Sequence, residues 1–169
     1  MRRAIRLAVL LFSCALLASC AAPAQTGGST DSLLDELVAL ERSALDRWIR
    51  LDPDGYLGLY APEVTYFDVT TERRVVGLEA MQSRLAPIRK MTPPFTEPRY
   101  DMIDPGVQRH GDVALLTFNL VSYGKLKDGE ERVLARWNST EVYGRISGTW
   151  KIIHSHWSYT RPEVKPTGF

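Results

Sequence analysis

The stretch RWNSTEVYGRISGTWKIIHSHWSYTRP, residues 136–162, decides how the chain folds. Apolar and polar residues alternate through its first half and again after Gly148, and Ser147-Gly148 supplies a turn between the two runs. This pattern predicts two antiparallel strands, 131–145 and 149–160. Working upstream, His110-Gly111 and Asp128-Gly129 punctuate two more runs of the same period and predict strands over 99–109 and 112–125. Four long strands in succession form a meander. What precedes them has another rhythm.

Leu33, Leu37, Leu40, Ala44 and Trp48 recur at helical spacing, with Leu34, Val38, Leu45 and Ile49 widening the stripe. Ser32 with Asp35 three residues later resembles a capping box, and Leu51-Asp52-Pro53 ends the helix. A short second helix is predicted from Pro53 to Tyr60 with Asp52 as its N-cap, closed by Ala61-Pro62. Glu63 to Val69 is rich in β-branched and aromatic residues and predicts a strand. Gly77 to Arg89 predicts a helix with Leu78, Met81, Leu85 and Ile88 on one stripe. Helices followed by a strand meander make an α+β domain. A strongly bent sheet can wrap the N-terminal helices into a cone, leaving a pocket at its open end.

The N-terminus is of another kind. Arg2, Arg3 and Arg6 precede an apolar run from Leu7 to Leu17, the layout of a secretory signal too short to span a bilayer. Leu17-Ala18-Ser19-Cys20 resembles the bacterial lipobox, which implies cleavage before Cys20 and acylation of its sulfur. The expected layout is a signal peptide over 1–19, a flexible tether over 20–30, one domain over 31–162 and a tail over 163–169. The tether AAPAQTGGST reaches about 15–20 Å by random-coil scaling. The expected location is the bacterial envelope, with the membrane as a partner through Cys20. Ala21 after the cysteine resembles an outer-membrane signal if the cell is Gram-negative.

Beyond Cys14 and Cys20 there is no other thiol, so the domain stands without disulfides. Net charge is +1, with no basic run after the signal, which speaks against a nucleic-acid partner. No phosphate loop or nucleophile motif is present, and no cofactor is implied.

GYLGLYAPEVTYFD (residues 55–68), VVGLEAM (75–81) and the 136–162 stretch together resemble the nuclear transport factor 2-like superfamily, its SnoaL-like members most of all. The last stretch is also similar to the association domain of calcium/calmodulin-dependent protein kinase II. The resemblance implies a curved antiparallel sheet wrapped around N-terminal helices, and a homodimer formed through the outer sheet face. It leaves activity open, because this scaffold carries isomerases, cyclases, dehydratases, transport factors and oligomerisation hubs. In the hub domain the position matching Trp157 carries an arginine of an anion-binding pocket, and another would be expected at Glu141. The indole and carboxylate here argue for an apolar or cationic ligand instead.

Alternation along the last strand puts Trp150, Ile152, His154, His156 and Ser158 on one face, with Ile153, Ser155, Trp157 and Tyr159 on the other. On the preceding strand Trp137, Ser139, Glu141 and Tyr143 oppose Arg136, Asn138, Thr140 and Val142. A β-bulge would exchange these faces. The candidate pocket residues are Trp48, Tyr56, Tyr60, Tyr66, Asp68, Trp137, Glu141 and Trp157, whose rings could equally be plain core. Asp68 is a candidate general base, with His154 or His156 as the second acid/base group; the competing reading makes Asp68 a turn cap for Thr70-Thr71. His154-x-His156 has the geometry of a metal pair with Asp68 as the one tempting third ligand, but the resemblance implies ordinary strand residues packing at the subunit interface or pocket wall, so a metal is not expected. Two functions follow: an envelope-anchored module binding a small hydrophobic molecule or a partner, or a small cofactor-free enzyme built on Asp68 and a histidine.

Overall fold

A computed structural model describes residues 30–160. The signal peptide, Cys20, the tether as far as residue 29 and the tail lie outside the described residues. The first helix, α1 (Thr30–Trp48), begins one residue inside the expected tether and two residues before Ser32. It buries Leu33, Leu37, Glu41, Ala44 and Leu45. Asp31 in its first turn and Arg47 in its last complement the helix dipole. Leu51 turns the chain out at φ 61°.

Helix α2 (Asp54–Leu59) is shorter than the expected 53–60. Asp52 holds its entrance: Oδ1 accepts from the Asp54 N–H at 3.0 Å, and Oδ2 accepts from Arg47 Nε at 2.7 Å. Gly55 is required where α2 meets α1, because a Cβ there would lie 2.9 Å from Ala44 Cα.

Strand β1 (Tyr60–Phe67) starts three residues before the expected Glu63, and Ala61-Pro62 lies inside it rather than closing a helix. Proline is tolerated because the ladder to the last strand breaks there, jumping from the Tyr60–Ile152 pair to the Thr65–His154 pair. A two-residue strand, β2 (Val75–Val76), pairs with β1 and was not apparent in the sequence pattern. Helix α3 (Leu78–Leu85) stops before the expected Arg89 and tightens into a 3₁₀ turn over Ala86–Lys90. Pro87 has no N–H to continue the α-helical ladder.

The meander is β3 (Thr96–His110), β4 (Val113–Lys125), β5 (Glu131–Ile146) and β6 (Thr149–Tyr159). The sheet is six-stranded, in the order β2-β1-β6-β5-β4-β3. All pairs are antiparallel except β1 with β6, which run parallel. No hairpin links those two strands, so no turn signal records their direction. The fold is α+β, a curved sheet with N-terminal helices. Its core joins Leu33, Leu37 and Leu45 of α1, Tyr56 of α2, Val64 of β1, Met81 of α3, and Leu116, Tyr143 and Ile152 of the meander.

One irregularity matters most. Val142 pairs with His154, whereas Tyr143 pairs with Ile152, so Ile153 is an extra residue on β6. This bulge exchanges the faces of β6 midway. Trp150 and Ile152 are therefore buried on the same side as Ser155, not on the side of His154 and His156 as unbroken alternation required. Gly144 makes room for the bulge, since a Cβ there would lie 3.0 Å from Ile153 Cγ2.

Candidate functional site

A cavity of about 310 Å³ lies between the ends of α1 and α2 and the concave side of the sheet. Trp48 comes from the last turn of α1, Tyr56 from α2, Tyr60, Tyr66 and the adjoining Asp68 from β1, Trp137 from β5 and Trp157 from β6; all line it. Phe95, Tyr100, Leu120 and Tyr123 add apolar wall that the sequence had not singled out. Phe95 is pressed on Gly124, where a Cβ would lie 2.8 Å from its ring.

The rings interlock edge to face. Tyr56 meets Trp48 at 5.9 Å between centroids and Trp157 at 6.5 Å, and Trp137 meets Trp157 at 6.1 Å. Such T-shaped pairs prefer these separations and contribute about 0.5–1.5 kcal/mol each beyond area burial. Tyr56 and Tyr60 are buried, whereas Trp48, Trp137 and Trp157 are only partly so.

Asp68 is fully engaged. Arg84 Nη2 donates to both of its oxygens at 3.0 Å, the Tyr66 hydroxyl donates to Oδ2 at 3.0 Å, and the Thr70 N–H and hydroxyl donate to Oδ1 at 2.8 and 2.7 Å. Burial works to raise this carboxyl, but the bonds from Thr70, Arg84 and Tyr66 outweigh it and hold Asp68 below its ordinary 3.8. Asp68 thus caps its turn and anchors Arg84. A carboxylate held ionised in this way is a weak base.

His154 and His156 are not brought to Asp68. They lie on the outer face of β6, beside Phe67 of β1 at ring separations of 6.2 and 6.1 Å, and neither lines the cavity. His154 Nδ1 is 2.7 Å from the Thr65 hydroxyl. Burial, then His156 and Arg74, hold His154 below 6.5. Beyond the bulge the strand alternates regularly, so with Trp157 lining the cavity both histidines face the other way. No group of three or more His, Cys, Asp or Glu able to hold a metal occurs among the described residues.

Glu141 does not line the cavity either. It is fully buried behind the wall, where Oε1 accepts from Ser155 Oγ at 2.9 Å and from Ser139 Oγ at 3.3 Å, and Oε2 has no partner among the described residues. A second buried carboxyl stands near it. Glu41 of α1 accepts from the Tyr56 hydroxyl at 2.6 Å and from the Tyr143 hydroxyl at 2.7 Å. Burial pushes Glu41 up to about 7 despite these two bonds. Burial, reinforced by Glu41, pushes Glu141 well above 4.5, while Ser155, Ser139 and Trp157 offset part of that. The sequence reading missed Glu41. Its signal was present: position 41 lies four residues after Leu37 and three before Ala44, on the apolar stripe where a carboxylate needs partners.

The SnoaL-like domain pattern matches residues 40–162, and the chain belongs to that family, within the nuclear transport factor 2-like superfamily. Among solved structures, a Parabacteroides distasonis protein provisionally named a ketosteroid isomerase is 35% identical, with TM-score 0.63 over 80% of this chain and 95% of that one. A nuclear transport factor 2-like protein of unknown function from Pseudomonas putida is 21% identical, with TM-score 0.64 over 82% of this chain and 100% of that one. The association domain of C. elegans CaMKII is 19% identical, with TM-score 0.65 over 78% of this chain and 99% of that one; these last two likenesses concern the fold. No protein of curated function matches the sequence.

Proposed function

We propose that this domain binds a small, largely apolar molecule in its cavity without transforming it, held at a bacterial envelope by lipidated Cys20 and paired as a homodimer through its outer sheet face. The observation that carries the reading is the cavity wall. It presents aromatic rings, while the hydroxyls of Tyr56 and Tyr66 are turned to carboxyls and Asp68 is committed to Arg84, Thr70 and Tyr66. A wall of this kind favours apolar surface and offers no free base.

The competing reading is a cofactor-free isomerase, cyclase or dehydratase using Asp68 with a histidine. The name of the P. distasonis relative supports it. The outward position of His154 and His156 and the engaged Asp68 weigh against it. Mass spectrometry of small molecules extracted from the purified protein tests the choice. An apolar metabolite released unchanged after incubation supports binding; conversion to a product overturns it.

The lipobox reading expects Cys20→Ser to leave the membrane fraction, and continued palmitate incorporation by that variant overturns it. Assembly draws support from the association-domain likeness. The expected dimer buries roughly 1,200–2,000 Å², and light scattering that finds only monomer at micromolar concentrations overturns it.

A further inference from the structure

Two carboxyl groups, Glu41 and Glu141, stand behind the rings of the cavity, and a third, Asp68, lies in its wall. Tyr56 donates to Glu41, Tyr66 donates to Asp68, and Trp157 lies against Glu141. Donation of a ring's polar hydrogen to a carboxyl leaves that ring richer in electrons and its face more attractive to positive charge.

The charges around the cavity do not balance. Asp68 is matched by Arg84, whose guanidinium carbon is 5.8 Å from the centroid of the Tyr66 ring. Arg99, at the wall, is matched by Glu131 at 2.7 and 2.8 Å and by Asp101 at 3.3 Å, and it stacks 3.8 Å from the centroid of the Tyr123 ring. Neither arginine is free to receive an anionic ligand. Glu41 and Glu141 form no salt bridge with any described cation, and Glu141 Oε2 has no hydrogen-bond partner among the described residues.

Building on the binding reading, we infer that the cavity selects a cation carried on an apolar body, a quaternary or tertiary ammonium seated against Tyr56, Tyr60 and Trp157, with Glu41 and Glu141 as its counter-charge. The pieces fit such a ligand. A quaternary ammonium spreads its charge over methyl groups, is weakly hydrated, and is recognised by cages of aromatic faces. Tyr56 and Tyr60 stack at 6.1 Å and Trp157 stands at 87° to Tyr56, so the ring faces are set in two perpendicular directions, and it is the faces rather than the edges that attract positive charge. Burial holds both glutamates toward their neutral forms. Tyr56, Tyr143 and Glu141 act on Glu41; Glu41, Ser139, Ser155, Trp157 and the neighbouring Tyr60 surround Glu141. No lysine or arginine is among these groups, so an arriving cation is the charge that would stabilise the ionised form, with the proton released to solvent.

Phenyltrimethylammonium and tert-butylbenzene have the same shape and differ by one charge. Tryptophan fluorescence titration of the full-length protein should find the cation bound about tenfold more tightly than the hydrocarbon, as a desolvated cation–π contact implies. Glu41→Gln and Glu141→Gln should each reduce that preference while the hydrocarbon's affinity persists. If Glu141→Gln does not fold, Glu41→Gln and the wild-type comparison decide. Equal or tighter binding of tert-butylbenzene overturns the charge selection and leaves the apolar-binding reading standing. If neither compound binds, both the charge selection and the apolar-binding reading fall.

Discussion

The Tyr56 hydroxyl donates to Glu41 Oε1 at 2.6 Å, joining a ring of the cavity wall to a carboxyl in the middle of the core. Tyr143 holds the other oxygen at 2.7 Å. Removing one donor leaves a buried carboxyl half-satisfied, so Tyr56→Phe should destabilise the fold by about 1–3 kcal/mol. Urea denaturation measures it. A Phe variant as stable as the wild type would mean that water or a side-chain shift replaces the bond.

Glu41 also sets a direction for pH. Its folded value of about 7 lies above its ordinary 4.5, so between these values the folded state holds a proton that the unfolded chain has released. The contribution is fully present below 4.5 and is lost as pH rises through about 7. The difference corresponds to a loss on the order of 3 kcal/mol. Glu41→Gln, which cannot ionise, should show a shallower decline, with Glu141, itself raised by burial and by Glu41, supplying what remains. Denaturation midpoints from pH 4 to 8 test it; parallel curves for the two proteins would show that Glu41 does not titrate in that range.

Asp68 acts in the opposite sense. Its folded value lies below 3.8, so the stability it contributes is present above 3.8 and is lost as pH falls through the lower folded value. Asp68→Asn should cost about 1–3 kcal/mol at neutral pH, where a charge-assisted network is broken, and the cost should vanish in acid. Arg84→Gln should remove much of the same energy, so the double variant should be less destabilised than the sum of the singles. Strict additivity would show that the 3.0 Å pair contributes nothing.

These residues also show how far the sequence could be read. The meander was legible because its strands alternate over most of their length and turn at glycine-bearing pairs such as Ser147-Gly148. The parallel pairing of β1 with β6 was not, since it joins segments far apart in the chain. Trp48, Tyr56, Tyr60 and Tyr66 were legible as aromatic material near one end of the helices, but whether they enclosed space depended on the curvature of the sheet. That His154 and His156 face away from Trp157 followed from alternation, but that Trp150 and Ile152 lie on the side of Trp157 rather than of the histidines did not. A single extra residue, Ile153 over Gly144, reverses the facing of every side chain beyond it, and the adjacent isoleucines 152 and 153 do not say which is inward. Glu41 was legible in principle and was hidden by the apolar stripe around it.

Trp157 is the residue on which the cavity turns. It touches Phe118 at 5.6 Å, Trp137 at 6.1 Å and Tyr56 at 6.5 Å, and it is only partly buried. A tryptophan packed on all sides costs about 3–5 kcal/mol when cut to alanine, because a closed void is left behind. Here one side of the ring already faces the cavity, so truncation enlarges an existing space rather than opening a new one. Trp157→Ala should therefore cost less, about 1–2 kcal/mol, and should abolish fluorescence enhancement of the neutral probe N-phenyl-1-naphthylamine. Thermal melts and probe titration on the same variant separate the outcomes. A collapse in melting temperature with probe binding unchanged would make Trp157 a core residue and remove the cavity as the ligand site.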